Sequence, residues 1–127
     1  MAKEDRNTYT IHADGSLGEV QIADEVVAII AGLAATEVEG VASMIGNSTK
    51  EIIEKFGVKS LSKGVKVDVL EGVVSLDLAI NLDYGYSVLD TSSKVQEKVR
   101  AAIENMTGLE VAQVNVRVAG VTMEKSK

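Results

Sequence analysis

Between Val95 and Val118 the chain changes its apolar rhythm, and that change limits the architectures open to it. Val95, Val99, Ala102, Ile103 and Met106 recur at helical spacing, while Val114, Val116 and Val118 alternate with Gln113, Asn115 and Arg117. The first spacing predicts a helix with one buried stripe; the second predicts a strand with one apolar face. Gly108 stands at the junction, where a left-handed residue ends a helix without the steric cost of a Cβ. Leu109 and Val111 fall on the opposite parity to Val114, so the pattern predicts a bulge near Ala112. A helix feeding straight into a half-buried strand needs a sheet for that strand to join.

Its partners lie upstream. Val74, Leu76, Leu78, Ile80 and Leu82 alternate with Ser75, Asp77, Ala79, Asn81 and Asp83. Ahead of them Val65, Val67 and Val69 alternate with Lys66 and Asp68, and Leu70-Glu71-Gly72 supplies the turn. This is the pattern of an antiparallel pair whose apolar side meets helices and whose polar side meets water or a partner.

Nearer the start, Thr8 to His12 reads as extended, 14–18 as a turn and Glu19 to Ile22 as a strand. A helix over about 24 to 37 follows, with Asp24 at its N-terminus and Val26, Val27, Ile30, Leu33 and Ala34 as its apolar positions; Gly40 ends the segment. Ser48 to Phe56 reads as a short amphipathic helix closed by Gly57, and Val58 to Gly64 as a surface linker. Ser87 to Ser93 offers caps for the second long helix.

The expected fold class is therefore α+β. It is a two-layer sandwich of a mostly antiparallel four-stranded sheet, two long helices and one short helix, in the order β-α-(α)-β-β-α-β. Residues 8–121 form one domain between flexible tails at 1–7 and 122–127. The segments Glu25 to Ala42 and Lys94 to Val111 share a layout of helix, turn and apolar run, which leaves internal duplication open as a reading.

Size and composition agree with one folded unit. A chain of 127 residues buries roughly two thirds of its unfolded surface in a single core, and 46% apolar content is typical of globular proteins. With no cysteine and one histidine, the sequence offers neither a disulfide scaffold nor a thiolate zinc site. The opening residues are polar and mixed in charge, unlike a secretory signal. The longest apolar run, Val26 to Ala35, is half of the ~20 residues that a membrane helix needs. The expectation is a cytoplasmic protein with no span.

The net charge of -6 opposes nucleic-acid binding, which relies on clustered Lys and Arg. Its distribution says more than its sum. Asn7 to Thr49 carries Asp14, Glu19, Asp24, Glu25, Glu37 and Glu39 with no Lys or Arg. Lys50 to Lys66 reverses the sign, with Lys50, Lys55, Lys59, Lys63 and Lys66 against Glu51 and Glu54. Such blocks suit a contact between the acidic segment of one subunit and the lysine segment of the next; sedimentation at low and high salt tests it. The lysines also suit acidic lipid headgroups or a plain solvated face.

Individual candidates for chemistry have simpler readings. His12 has no second histidine or cysteine with which to share a metal and reads as a solvated edge or loop residue. Asp77, Asp83 and Asp90 with Glu71 form an imaginable carboxylate set for a divalent cation, yet strand-face polarity and helix capping account for them. Gly15-Ser16-Leu17-Gly18 matches the G-x-x-G of KH domains but joins extended segments in an acidic region. No Walker loop, dinucleotide fingerprint, nucleophile elbow or H-E-x-x-H is present. No catalytic residue, metal or cofactor is assigned. Tyr84 and Tyr86, two of three tyrosines, lie in the turn between strand and helix, where they either anchor a partner or cover the end of the core. With Lys50, Lys55, Lys59 and Lys63 they make up the candidate interaction surface.

Two blocks carry a family resemblance: Gly18 to Met44, and the helix-to-strand stretch from Val95 to Val118. With Glu25-Val26, Glu39-Gly40-Val41 and Met106-Thr-Gly-Leu109 as their most specific parts, they resemble the alkaline shock protein family of envelope stress response proteins, found mainly in Gram-positive bacteria. The likeness runs from about Gly18 to Val121. It implies a cytoplasmic, non-enzymatic protein that self-associates, gathers at the inner membrane surface through a membrane-anchored partner and supports envelope homeostasis. It supplies no active-site residues. Larger stress-induced members tend to have extended charged tails and this chain has only short ones, so a smaller housekeeping paralogue is an equal reading. The alternative class is a small RNA-binding or metal-dependent enzyme domain of α+β type.

Overall fold

The computed structural model describes residues 8–14, 18–44 and 62–123. The short helix expected over Ser48 to Phe56 lies outside the described residues. Strands β1 (Thr8–Asp14) and β2 (Gly18–Ala23) form an antiparallel hairpin, followed by helix α1 (Asp24–Thr36) and strand β3 (Val41–Met44). Then come β4 (Val65–Leu70), β5 (Val73–Asp83), helix α2 (Val88–Thr107) and β6 (Glu110–Thr122).

The main sheet is organised around β5. Along one edge β5 pairs antiparallel with β4, from Val73 to Leu78, and then with β3, from Ile80 to Leu82. Along the other edge it pairs with β6 in parallel. Parallel neighbours need a crossover, and α2 is that crossover, laid across the apolar face. The α+β class stands, with two antiparallel pairs and one parallel pair in the four-stranded sheet.

The membership of that sheet differs from the expectation. The strand at Glu19 to Ile22 belongs to the separate two-stranded hairpin, and β3 takes the fourth place. At four residues β3 is too short to display an alternation. It is set by its entry: Gly40 turns the chain at φ 103°, and its carbonyl accepts from the Asp83 amide at 2.8 Å. The β4–β5 connection has Glu71 at φ 54° and Gly72 at φ 80°, the left-handed pair whose twist suits a two-residue hairpin.

Val74, Leu76, Leu78, Ile80 and Leu82 are all buried under the helices. Each helix buries part of the stripe that its apolar residues suggest: Val95, Val99 and Ile103 in α2, but only Val27 and Ala34 in α1. In α1, Val27, Ala28, Ala31, Ala34 and Ala35 are buried, while Val26 and Leu33 are exposed and Ile30 is half-buried. Small side chains bring α1 close to α2 and the sheet, and the bulky residues turn outward. In α2 the buried set is Thr91, Val95, Val99, Ile103 and Thr107, and Met106 is 69% exposed. Thr107 is admitted to the core because its hydroxyl donates to the Ile103 carbonyl at 2.7 Å and accepts from the Leu109 amide at 3.1 Å.

The helix ends follow local chemistry. Ser87 Oγ accepts from the Asp90 amide at 3.2 Å, and Gly108, left-handed at φ 79°, closes α2 with its amide on the Glu104 carbonyl. Ser87→Ala should cost about 1 kcal/mol, read as a lower urea midpoint with an unchanged slope. The bulge predicted near Ala112 is present: Val74 pairs with Val111 and Ser75 with Gln113. A second one leaves out Ala119, between Ile80–Val118 and Asn81–Gly120.

Candidate interaction surface

Among the described residues both long helices lie on one face of the sheet, and the alternation of β5 and β6 decides which side chains the other face carries, exposed at Asp77, Asn115 and Arg117 and buried at Ala79. Ser75, Asp77, Ala79 and Asn81 come from β5; Gln113, Asn115 and Arg117 come from β6. Asn115 Nδ2 donates to Asp77 Oδ1 at 2.8 Å. Lys63 and Gly64, just before β4, join Lys66, Asp77, Asn115 and Arg117 around a shallow depression of about 330 Å³. Lys63, Lys66 and Arg117 face Asp77 there, so the depression is basic in a chain that is acidic overall. Further along, Asn81 Nδ2 donates to Ser43 Oγ at 3.1 Å, and Asn81 Oδ1 lies 2.8 Å from where a Cβ on Gly120 would stand.

The second region is the turn after β5. Tyr84 is 66% exposed, and its amide donates to the Thr122 carbonyl at 2.9 Å. Tyr86 is 40% exposed and lays its ring on Gly40, so a Cβ there would meet ring carbons at 2.7 and 2.9 Å. Its hydroxyl donates to Glu39 Oε2 at 3.1 Å. Val88 and Leu89 at the start of α2 are exposed, as are Val121 and Met123 at the end of β6.

The two tyrosines therefore divide between the two roles open to them. Tyr86 covers the entry to β3, and Tyr84 points an exposed ring outward. Lys63 is not beside them, because Tyr84 lies five strand residues beyond Ala79, about 17 Å along β5. Lys50, Lys55 and Lys59 lie outside the described residues. Sequence reasoning missed the exposed Val88, Leu89, Val121 and Met123, which its core assignments passed over, and it missed the Asp77–Asn115 pair, which needs the β5–β6 register.

Two groups are shifted from their ordinary values. The Tyr86 hydroxyl is pushed up, first by its hydrogen bond to Glu39, then by the charges of Glu39 and Asp83 and by burial. The Asp24 carboxyl is pushed up by partial burial and then by Asp68. A raised tyrosine value means that the Tyr86–Glu39 contact contributes stability in full below the unfolded value near 10, and that this is lost as pH rises through the folded value. Tyr86→Phe should flatten the fall in stability at alkaline pH and remove one tyrosinate absorbance step. An unchanged titration would place that step elsewhere.

Among the described residues no group of three His, Cys, Asp or Glu side chains is placed to hold a metal ion. No described helix is long and apolar enough to cross a membrane. Asp77 is engaged with Asn115, and Asp90 lies in the capped first turn of α2.

Residues 12–123 match the model of the alkaline shock protein 23 (ASP23) family, described by a cell envelope-related function. The chain belongs to that family. An ASP23-family relationship extends to curated proteins of Gram-positive bacteria. The uncharacterised protein YqhY of Bacillus subtilis is 39% identical over 113 residues, covering 89% of this chain and 84% of the relative. A stress response regulator gls24 homolog of Streptococcus pyogenes is 30% identical over 117 residues, covering 91% of this chain and 65% of that longer protein. Among solved structures, a MamM CTD variant is similar with a TM-score of 0.48 at 18% identity, over 76% of this chain and 94% of the other.

Proposed function

We propose that this ASP23-family chain is a non-enzymatic, self-associating adaptor at the cytoplasmic face of the membrane, held there by a membrane-anchored protein and serving envelope homeostasis. The family's cell envelope-related function supports the place of action, and the gls24-type relative supports a link to stress response. The observation that carries the adaptor role is the exposed apolar cluster of Tyr84, Val88, Leu89, Val121 and Met123, gathered where β5 and β6 end and α2 begins. Apolar side chains concentrated at one end of a small domain suit a protein partner more than a soluble substrate. Tyr84 supplies a large ring, and Lys63 contributes to a separate basic depression on the sheet face.

In-cell crosslinking followed by identification of the captured proteins tests this reading. A membrane protein should be recovered with the wild type and lost with Tyr84→Ala plus Leu89→Ser. Recovery of ribosomal or metabolic partners alone would sink the envelope role.

A further inference from the structure

Among the described residues β6 pairs with β5 and with no other strand, so no described strand covers the outer edge of this thirteen-residue strand. That edge is not uniform. Near its start, the Val111 amide donates to Glu104 Oε2 at 3.3 Å, and the Val114 carbonyl accepts from Gln96 Nε2 at 2.9 Å. Side chains of α2 thus occupy the first stretch. Backbone groups alternate sides along a strand, so a Val114 that turns its carbonyl to α2 and away from β5 places Val116 and Val118 on the same outer edge. The bulges at Ala112 and Ala119 bound a regular run from Gln113 to Val118.

The two faces of this run differ. Towards the helices it shows Val114, Val116 and Val118, the last two half-buried. Leu89 lies seven residues before Gln96 on the same side of α2, about 10 Å along the axis, which brings it level with Arg117 and Val118; it is 80% exposed. The face away from the helices shows Asn115, held on Asp77, and Arg117.

We infer that this edge pairs with its own copy. Two β6 strands lie antiparallel about a two-fold axis at Val116 and join two four-stranded sheets into one. This inference rests on the self-association proposed above and names the surface responsible. In that register Val116 faces Val116 of the partner subunit, and Val114 faces Val118 of the partner subunit. Every outward backbone group then meets another, and valine meets valine on the helix side. Gln96 yields the Val114 carbonyl to the incoming amide. On the face away from the helices Arg117 of the partner subunit stands opposite Asn115, so its guanidinium reaches Asp77. That charge match, made twice across the axis, favours a second copy over an unrelated strand. Centring the axis on Arg117 would set like charges face to face, and centring it on Asn115 would leave Val118 unpaired.

The absence of native cysteine allows a direct test on the full chain. Directly opposed residues in this ladder lie about 5.5 Å apart at Cα, within disulfide reach. Val116→Cys should oxidise to a covalent dimer, and Ser75→Cys, one strand further in, should not. Val118→Pro removes an outward amide that no bond within the sheet uses, and should weaken association about tenfold or more in sedimentation equilibrium. Arg117→Asp should weaken it similarly, with recovery on adding Asp77→Arg; this pair decides the matter should the proline variant misfold. A wild-type chain that is monomeric throughout would overturn both the inference and the self-association reading. Wild-type association with no Val116→Cys crosslink and no effect of the charge variants would overturn the β6 edge alone.

Discussion

Gly40→Ala is expected to destabilise the chain by about 2–5 kcal/mol, from two separable causes. The backbone at φ 103° is one that an L side chain rarely adopts, and holding alanine there costs about 1–3 kcal/mol. The added methyl would also lie 2.7 Å from Tyr86 Cδ2 and 2.9 Å from Cγ, and a ring bound through its hydroxyl to Glu39 yields poorly. The two parts come apart in a double-mutant cycle, because Tyr86→Ala removes the ring and leaves the backbone cost. Gly40→Ala should therefore cost clearly less in the Tyr86→Ala background than in the wild type. Equal costs in both backgrounds would show that the ring does not press on this turn. As Gly40 also bonds to Asp83, the variant should loosen β3 first.

Leu78→Ala has a comparable expected effect, in the upper half of the about 2–5 kcal/mol range for deleting a buried leucine. Leu78 is 2% exposed, and its strand is paired on both sides, with Val65 and with Val116. A strand gripped at both edges cannot shift to fill the space that the side chain leaves. Urea unfolding should show a large fall in midpoint. Leu89→Ala, which removes the same atoms from an exposed position, should stay within about 0.5 kcal/mol. If the two leucines cost the same, the assignment of the inner face is wrong.

The parts of the fold legible from residues were those in which a period is sustained. Val74 to Leu82 keeps one parity for nine residues, and it is the central strand. Gly108 and the parity break before Val114 announced the left-handed cap and the Ala112 bulge. Short or composite features were not legible. Val41–Met44 is four residues long, so its pairing with β5 depends on the turn at Gly40 and on the Asp83 amide. In α1, ranking positions by hydrophobicity favoured Val26 and Leu33, whereas close helix packing selected Ala28, Ala31 and Ala35. Met106 misled for a related reason, since Thr107 satisfies its own hydroxyl and takes the buried place.

The candidate surface divides in the same way. Tyr84 and Tyr86 stood out because aromatic residues are scarce, at 3% of the chain. Their different tasks depend on what lies beneath each ring, which only the Gly40 turn reveals. Lys63 was visible as charge; its neighbours Asp77, Asn115 and Arg117 come from strands that sequence does not align.

That β5 has a bonded neighbour on each side has a kinetic consequence. β4 and β3 follow one another along its first edge, and β6 runs the length of the second. An amide of β5 reaches solvent only when one of these neighbours has left, and β6 cannot leave without disturbing α2, to which it is tied at Val111 and Val114. Solvent deuterium should therefore enter Leu76 to Ile80 last, at the rate set by global unfolding, while the β1–β2 hairpin takes it up through local openings.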